Sequence, residues 1–107
     1  LQQAIDRPGI TAWVAVDDAT AKICLDFLAE RGRSAPGDVC VVGFDDSAVA
    51  AEHDLTSYNF NGPGIARAML QAVLHPHQAR RTLRGSPVDI DGFVVERESA
   101  PARICSG

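Results

Sequence analysis

The stretches AWVAVDD, residues 12 to 18, and CVVGFDD, residues 40 to 46, decide how this sequence folds. In each stretch a short, nearly continuous apolar run ends on two adjacent aspartates. Such runs predict strands that are covered on both faces, as in parallel sheets. Because a helical pattern separates the two runs, the order strand, helix, strand predicts a right-handed parallel crossover in an open α/β sheet.

The rest of the chain extends this pattern in both directions. Proline and glycine mark most of the boundaries, since neither residue continues a helix readily. In chain order the predicted elements are a helix end over residues 1–6, a strand over 11–16, a helix over 19–31, a strand over 39–42, a helical turn within 47–54, a strand over 55–58, a helix that starts at 61–63 and ends at 75–76, and a last strand over 88–98.

Composition limits the function classes. The 107 residues are 46% hydrophobic and 22% charged, which is typical of a globular chain of one domain at most and not of a disordered one. No apolar run approaches the roughly 18 residues of a membrane span, so no membrane partner is expected. The net charge of −4 argues against nucleic-acid binding by this chain itself. The one basic cluster, Arg80, Arg81 and Arg84, is interpreted as a solvated loop, with an anion or partner contact as the alternative.

The three cysteines, Cys24, Cys40 and Cys105, lack the spacing of metal ligands, so neither a metal site nor a disulfide framework is predicted. No cofactor is predicted either. Unpaired cysteines favour a reducing, cytoplasmic location. The first residues lack an initiator methionine and the pattern of a signal peptide, so we expect the chain to be a fragment or a processed piece.

The paired aspartates are the candidate site. In parallel α/β sheets ligands bind in the crevice beyond the carboxyl ends of the strands, where both pairs are expected to lie. Asp18 is predicted to cap the following helix. Asp17 is open between a structural and a ligand role, and Asp45 is predicted to face the ligand. Carboxylates in such a crevice suit a divalent metal, phosphoryl transfer, or the hydroxyl groups of a polyol.

The enzymatic interpretations lack partners in the sequence. A phosphoryl-accepting site needs a lysine at another strand end, and the only lysine is Lys22, in the first long helix. The three histidines fall in predicted loops, and no phosphate loop, nucleophile elbow or HExxH motif occurs. A metal-dependent phosphotransfer enzyme that uses Asp17, Asp45 and Asp46 is therefore the less favoured alternative.

A family resemblance adds to this interpretation. The stretch from AWVAVDDATAKICLDFLAERGRSAPGDVCVVGFDDSAVA, through LTSYNFNGPGIARAMLQAVL, to FVVERESA resembles the C-terminal part of the effector-binding domain of LacI/GalR-type transcriptional regulators. The resemblance implies a partial periplasmic-binding-protein-like (Rossmann-like) α/β fold with a mostly parallel sheet flanked by helices. Residues 1–107 would form the C-terminal segment of a two-lobed domain, and the DNA-binding domain and most of the first lobe would be absent. It implies no catalytic activity.

The resemblance also implies a ligand site. In the family the first Asp-Asp position is usually Asn-Asp, and its first member, here Asp17, binds the effector. Asp45 is expected to bind sugar hydroxyls, and Phe60, with Asn59 and Asn61, to lie near the ligand. Asp17 departs from the family by removing a hydrogen-bond donor and adding charge, which favours a donor-rich polyol or a cationic metabolite.

The implied partners are a small-molecule effector of the sugar or polyol class, a second copy of the chain, and operator DNA through a domain absent here. The homodimer interface maps to Lys22, Leu25 and Asp26 and to the segment near His53. A sugar-binding protein of a transport system, with the same fold, is the closest alternative. The Pro36-x-Asp38-Val39 stretch and the closing Arg97-Glu98-Ser99 favour the regulator.

Overall fold

The computed structural model of the protein describes residues 1–78 and 88–102. Four helices and four strands lie entirely within the described residues. In chain order these are α1 (Gln2–Ile5), β1 (Ala12–Val14), α2 (Asp18–Glu30), β2 (Cys40–Phe44), α3 (Ala48–Glu52), β3 (Thr56–Asn59), α4 (Gly62–Leu74) and β4 (Phe93–Val95). Among these residues no helix is both long and apolar enough to span a bilayer.

The chain divides into two compact units, although its length indicated one domain at most. The first unit contains residues 1–59 and the described chain from Val94 onward, and the second contains residues 60–93. The chain therefore leaves the first unit after Asn59 and returns to it at Val94.

The sheet confirms the predicted α/β class. Its strand order is β1-β2-β3-β4, with β1 parallel to β2 and β2 parallel to β3. Val14 of β1 is in register with Val42 of β2, and Val42 is in register with Thr56 of β3. The carboxyl ends of the three strands consequently meet at one edge of the sheet.

Burial of β1 differs from the prediction. Trp13 and Ala15 are buried, whereas Val14 is 69% and Val16 is 79% exposed. The prediction that this strand is covered on both faces is therefore wrong, because alternate side chains of a strand point to opposite faces and only one face of β1 meets the core. The prediction holds better for β2, since its successive residues Cys40 and Val41, whose side chains point to opposite faces, are 3% and 0% exposed.

Helix α2 covers the buried face of the sheet. Ala21, Cys24 and Leu28 lie on one side of the helix at helical spacing, and they pack with Val41 and Leu55 in the core cluster. Cys24 is free and buried in this cluster, where it packs as a small hydrophobic side chain. Cys40 in β2 is disulfide-bonded, so the absence of disulfides indicated by the cysteine spacing is wrong for this residue.

The last strand is shorter than predicted. Only Phe93–Val95 of the predicted strand 88–98 form β4. The segment after it is held by hydrogen bonds of both the backbone and the side chain of Ser99. The Ser99 carbonyl accepts from the Val41 backbone N–H at 3.0 Å, and the Ser99 N–H donates to the Asp54 carbonyl at 3.1 Å. The buried Ser99 hydroxyl donates to the Val41 carbonyl at 2.6 Å and accepts from the Thr56 backbone N–H at 2.8 Å. Ser99 thus ties the returning chain to β2 and β3 together.

The second unit is built on α4. Asn61 caps the helix in a left-handed conformation, with φ of 60°, and its side-chain oxygen accepts from the Gly64 backbone N–H at 3.2 Å. Its amide nitrogen donates to the Asp91 carbonyl. None of the α4 residues is buried, and Met69 and Val73 are among its exposed apolar side chains. The predicted apolar face of this helix therefore has no cover within the described residues.

Candidate functional site

Asp17 caps α2. Its backbone is extended, with φ of −154°, and its carboxylate Oδ1 accepts from the Thr20 backbone N–H at 2.7 Å. This bond, with a second from the Thr20 side chain, holds the pKa of Asp17 below its ordinary value. The sequence had assigned the cap to Asp18. That assignment is wrong, because Asp18 is already the first residue of the helix and its side chain points elsewhere.

Asp18 is the buried centre of the strand ends, with only 2% of its surface exposed. Its carboxylate Oδ1 accepts from the Ser57 hydroxyl at 2.5 Å, and Oδ2 accepts from both the backbone N–H and the hydroxyl of Ser47 at 2.7 Å. A buried carboxylate needs such donors, since burial without them is costly. These bonds join the start of α2 to the start of α3 and to β3.

Gly43 makes room for this carboxylate. A Cβ atom at position 43 would collide with Oδ1 of Asp18 and lie 3.2 Å from the Asp18 Cα atom. The glycine of the Val-Gly-Phe-Asp-Asp stretch is therefore required by the side chain of the preceding Asp-Asp pair. Gly43 allows the Asp18 side chain to lie close to the β2 backbone. A left-handed conformation is not the reason for the glycine, because its φ is not positive.

Asp46 is held by a second set of bonds. The Ser57 hydroxyl, which donates to Asp18, also accepts from the Asp46 backbone N–H at 2.9 Å. One carboxylate oxygen of Asp46 accepts from the Asn59 amide at 3.0 Å, and the other accepts from Arg97 at 2.8 Å. The bond from Asn59, with the nearby Arg97 cation, holds the pKa of Asp46 below its ordinary value.

Asp45 lies between these fixed groups and remains accessible. Its backbone N–H donates to the Tyr58 carbonyl at 2.9 Å, but its side chain is exposed and makes no hydrogen bond or ion pair with the described residues. Its φ is 105° and that of Asp46 is 50°. Two successive non-glycine residues with positive φ cost on the order of 1–3 kcal/mol each, and such strain is concentrated at functional sites.

The strand register aligns three of the predicted ligand residues. Val14, Val42 and Thr56 are in register across β1, β2 and β3. Asp17, Asp45 and Asn59 each lie three residues beyond these positions, as the sequence shows. Because neighbouring strands are about 4.8 Å apart, the three residues lie at the same edge of the sheet. They belong to one unit, and the geometry there suits a ligand with several hydrogen-bond donors.

The other two predicted ligand residues lie in the second unit. Phe60 is its first residue and is 47% exposed, and Asn61 is the helix cap described above. Sequence reasoning did not assign roles to Ser47, Ser57 or Arg97. The Leu-Thr-Ser and Arg-Glu-Ser motifs contain two of these residues, and the motifs were the only signal that could have identified them.

The predicted dimer residues lie apart from these strand ends. Lys22 and Asp26 form an ion pair on α2 at 2.7 Å. Leu25 packs against the core from a half-buried position, and His53 is exposed at the end of α3. Arg80, Arg81, Arg84 and Cys105 lie outside the described residues. Within residues 1–78 and 88–102, no three acidic, histidine or cysteine side chains group together as a metal site.

Known proteins are similar to this chain in sequence and in fold. Residues 1–100 match the family model of the periplasmic binding protein-like domain. The HTH-type transcriptional regulator CelR of Thermobifida fusca is 42% identical over 62 residues, which are 55% of this chain and 18% of the regulator. A LacI transcriptional regulator from a Rhodococcus species superposes with a TM-score of 0.72 at 26% identity, over 94% of this chain and 37% of that chain.

A third relative carries a ligand. The structure of the transcriptional regulator CelR in complex with cellobiose superposes with a TM-score of 0.57 at 29% identity, over 87% of this chain and 29% of that chain. In every case this chain spans less than two fifths of the relative's length.

The fold is thus that of an open, largely parallel α/β protein whose strand ends carry aligned polar side chains. The chain belongs to the periplasmic binding protein-like domain family. The resemblance to LacI-type regulators that the sequence indicated is confirmed by these relatives.

The two neighbouring aspartates of the first pair should differ in their contribution to stability. Asp18→Ala leaves the buried donors of Ser47 and Ser57 without their acceptor and should lower the free energy of unfolding by about 3 kcal/mol. Asp17→Ala removes one helix cap and should cost clearly less. Urea unfolding of both variants measures the difference. An equal or larger loss for Asp17→Ala would contradict the burial argument.

The Asp46 contacts predict a pH dependence. A carboxyl whose pKa is lowered in the folded state stabilises the protein above its unfolded pKa, near 3.8, and this contribution is lost as the pH falls through the lower folded value. Wild type should therefore be more stable than Asp46→Asn at pH 6, and the difference should shrink progressively below about pH 4. Urea unfolding at a series of pH values tests this. A difference that stays constant down to pH 2 would mean that the charge of Asp46 contributes nothing.

Proposed function

We propose that this chain is the effector-binding segment of a LacI-type transcriptional regulator and that it binds a sugar or related polyol without catalysis. The observation that carries the proposal is that Asp17, Asp45 and Asn59 lie at the carboxyl ends of three adjacent strands, with the side chain of Asp45 exposed. The cellobiose complex of the related regulator CelR supports the ligand class.

The contacts at the strand ends favour particular roles. Both carboxylate oxygens of Asp45 are available to accept hydrogen bonds from neighbouring hydroxyls. Asp17 offers fewer, since its Oδ1 already accepts from Thr20. Because a carboxylate only accepts, two aspartates at this edge favour a ligand rich in donors. Phe60 and Asn61, in the second unit, stay predicted ligand residues, since an aromatic face such as that of Phe60 can stack on a pyranose ring.

Regulation would follow from differential binding. A ligand changes DNA affinity only when it binds two conformations of the regulator unequally. In this proposal the chain supplies the C-terminal segment of a two-lobed domain, and operator DNA is bound by another domain of a cytoplasmic protein. The homodimer would use α2 around Lys22, Leu25 and Asp26, with the segment near His53, although Leu25 also packs against the core.

Two alternatives predict different behaviour. A transport-system protein of the same fold would bind sugar without any effect on DNA. A metal-dependent phosphotransfer enzyme would respond specifically to Mg²⁺ through Asp17, Asp45 and Asp46. Titration of Mg²⁺ followed by calorimetry separates this second alternative, because the regulator should show no metal-specific binding.

Cellobiose is the first sugar to test. Asp45→Ala should weaken cellobiose binding by roughly 10- to 100-fold, because a charged hydrogen-bonding group contributes about 1.5–3 kcal/mol. Asp38→Ala is the matched control: Asp38 is exposed at the opposite end of β2, so its removal should leave the affinity unchanged. Isothermal titration calorimetry on the intact protein measures both.

A panel of sugars and amino sugars extends the same experiment. Asp17→Asn should shift preference away from amine-bearing ligands, because it removes a negative charge from the strand ends. Unchanged affinity in Asp45→Ala for every sugar that the wild type binds would exclude Asp45 from the site.

A further inference from the structure

Asp46 contacts one residue near each of the two places where the chain passes from one unit to the other, and both of these residues belong to the first unit. Asn59 is the last residue of the first unit before the chain leaves it, and Arg97 follows three residues after the chain returns at Val94. Each carboxylate oxygen of Asp46 accepts a hydrogen bond from one of these residues. One oxygen lies 3.0 Å from the Asn59 amide nitrogen, and the other lies 2.8 Å from a guanidinium nitrogen of Arg97. One side chain therefore connects two segments that are 38 residues apart in sequence.

We propose that Asp46 is a positioning residue that fastens the outgoing and the returning chain crossings to the turn carrying Asp45. The crossings are defined here as residues 59–62 and 94–97. The fastening role itself does not depend on the proposed function. Only its consequence rests on that function: a ligand bound to Asp45 would act on both crossings through Asp46.

The surroundings of Asp46 suit this role. Its side chain is 14% and that of Arg97 is 19% exposed, so water screens the pair less than it screens a surface ion pair. Arg97 is itself fixed, because a second guanidinium nitrogen donates to the Leu55 carbonyl at 2.9 Å. The Asp46 backbone is fixed by its N–H bond to Ser57. The backbone bond to Ser57 therefore holds Asp46 in place, and its carboxylate contacts one residue of each crossing.

The backbone of the turn that carries Asp45 and Asp46 is conformationally restricted. Asp45 and Asp46 have φ of 105° and 50°, a sequence of two unusual conformations with few alternatives for residues other than glycine. The two residues therefore have little freedom to change conformation independently of each other. Because the Asp45 N–H bonds to Tyr58, which directly precedes Asn59, the outgoing crossing is coupled to the turn by the backbone too.

Amide hydrogen exchange without any sugar tests the fastening directly. Asp46→Gly removes the carboxylate but keeps a residue that accepts positive φ, so the turn itself should persist. We expect exchange to rise at least tenfold in both crossings and to stay unchanged in the core of α2, residues 21–28. Asn59→Ala should accelerate exchange only in residues 59–62, and Arg97→Gln only in residues 94–97. These one-sided variants are the matched controls.

Two results would overturn the proposal. The first is unchanged exchange at both crossings in Asp46→Gly, and the second is a uniform rise that includes the core of α2. If Asp46→Gly does not fold, Asp46→Asn decides the question, since it keeps one acceptor oxygen and should release one crossing only. Release of both crossings or of neither by Asp46→Asn would then refute the two-sided arrangement. Because no ligand is present, failure of cellobiose to bind would count against the proposed function alone.

Discussion

The buried carboxylate of Asp18 is the interaction on which the strand ends depend. It accepts three hydrogen bonds, two from Ser47 and one from Ser57, and thereby joins the starts of α2 and α3 to β3. The charge-bearing group is 2% exposed, so these donors replace the water that it loses. Its position also explains Gly43, since any side chain at that place would displace it.

The four aspartates at the strand ends have different roles: Asp17, Asp18 and Asp46 stabilise the structure, and Asp45 is placed to bind a ligand. Asp18 and Asp46 have their oxygens occupied by protein donors, and Asp17 uses one oxygen to cap a helix. Asp45 alone has an exposed side chain without hydrogen bonds among the described residues, on a strained backbone that the other bonds hold in place. The Asp45 carboxylate is exposed while its backbone is held in place. This arrangement suits the recognition of hydroxyl groups, because the acceptor oxygens are already oriented before the ligand binds.

The sequence predicted the order and type of most elements because apolar runs and helical spacing are local signals. It predicted the strand-end location of both aspartate pairs for the same reason. It could not show that Asp17 and not Asp18 caps α2, because the choice depends on Ser47 and Ser57, which lie 29 and 39 residues beyond Asp18. The sequence did not predict the exposed face of β1 or the short length of β4, because burial and strand pairing depend on contacts with residues that are distant in sequence.

A double-mutant cycle between Asp18 and Gly43 tests the central claim most directly. Gly43→Ala should destabilise the wild-type protein because the new Cβ displaces the Asp18 carboxylate. It should cost less once Asp18→Ala has removed that carboxylate, because only the longer contacts with the Leu55 side chain and the Asp18 Cα atom, at 3.1 and 3.2 Å, then remain. Urea unfolding of the wild type, the two single variants and the double variant gives the coupling energy, which we expect to be about 1–3 kcal/mol. Purely additive losses would contradict the account, because they would mean that Gly43 and the Asp18 carboxylate do not share the space on which the strand ends are built.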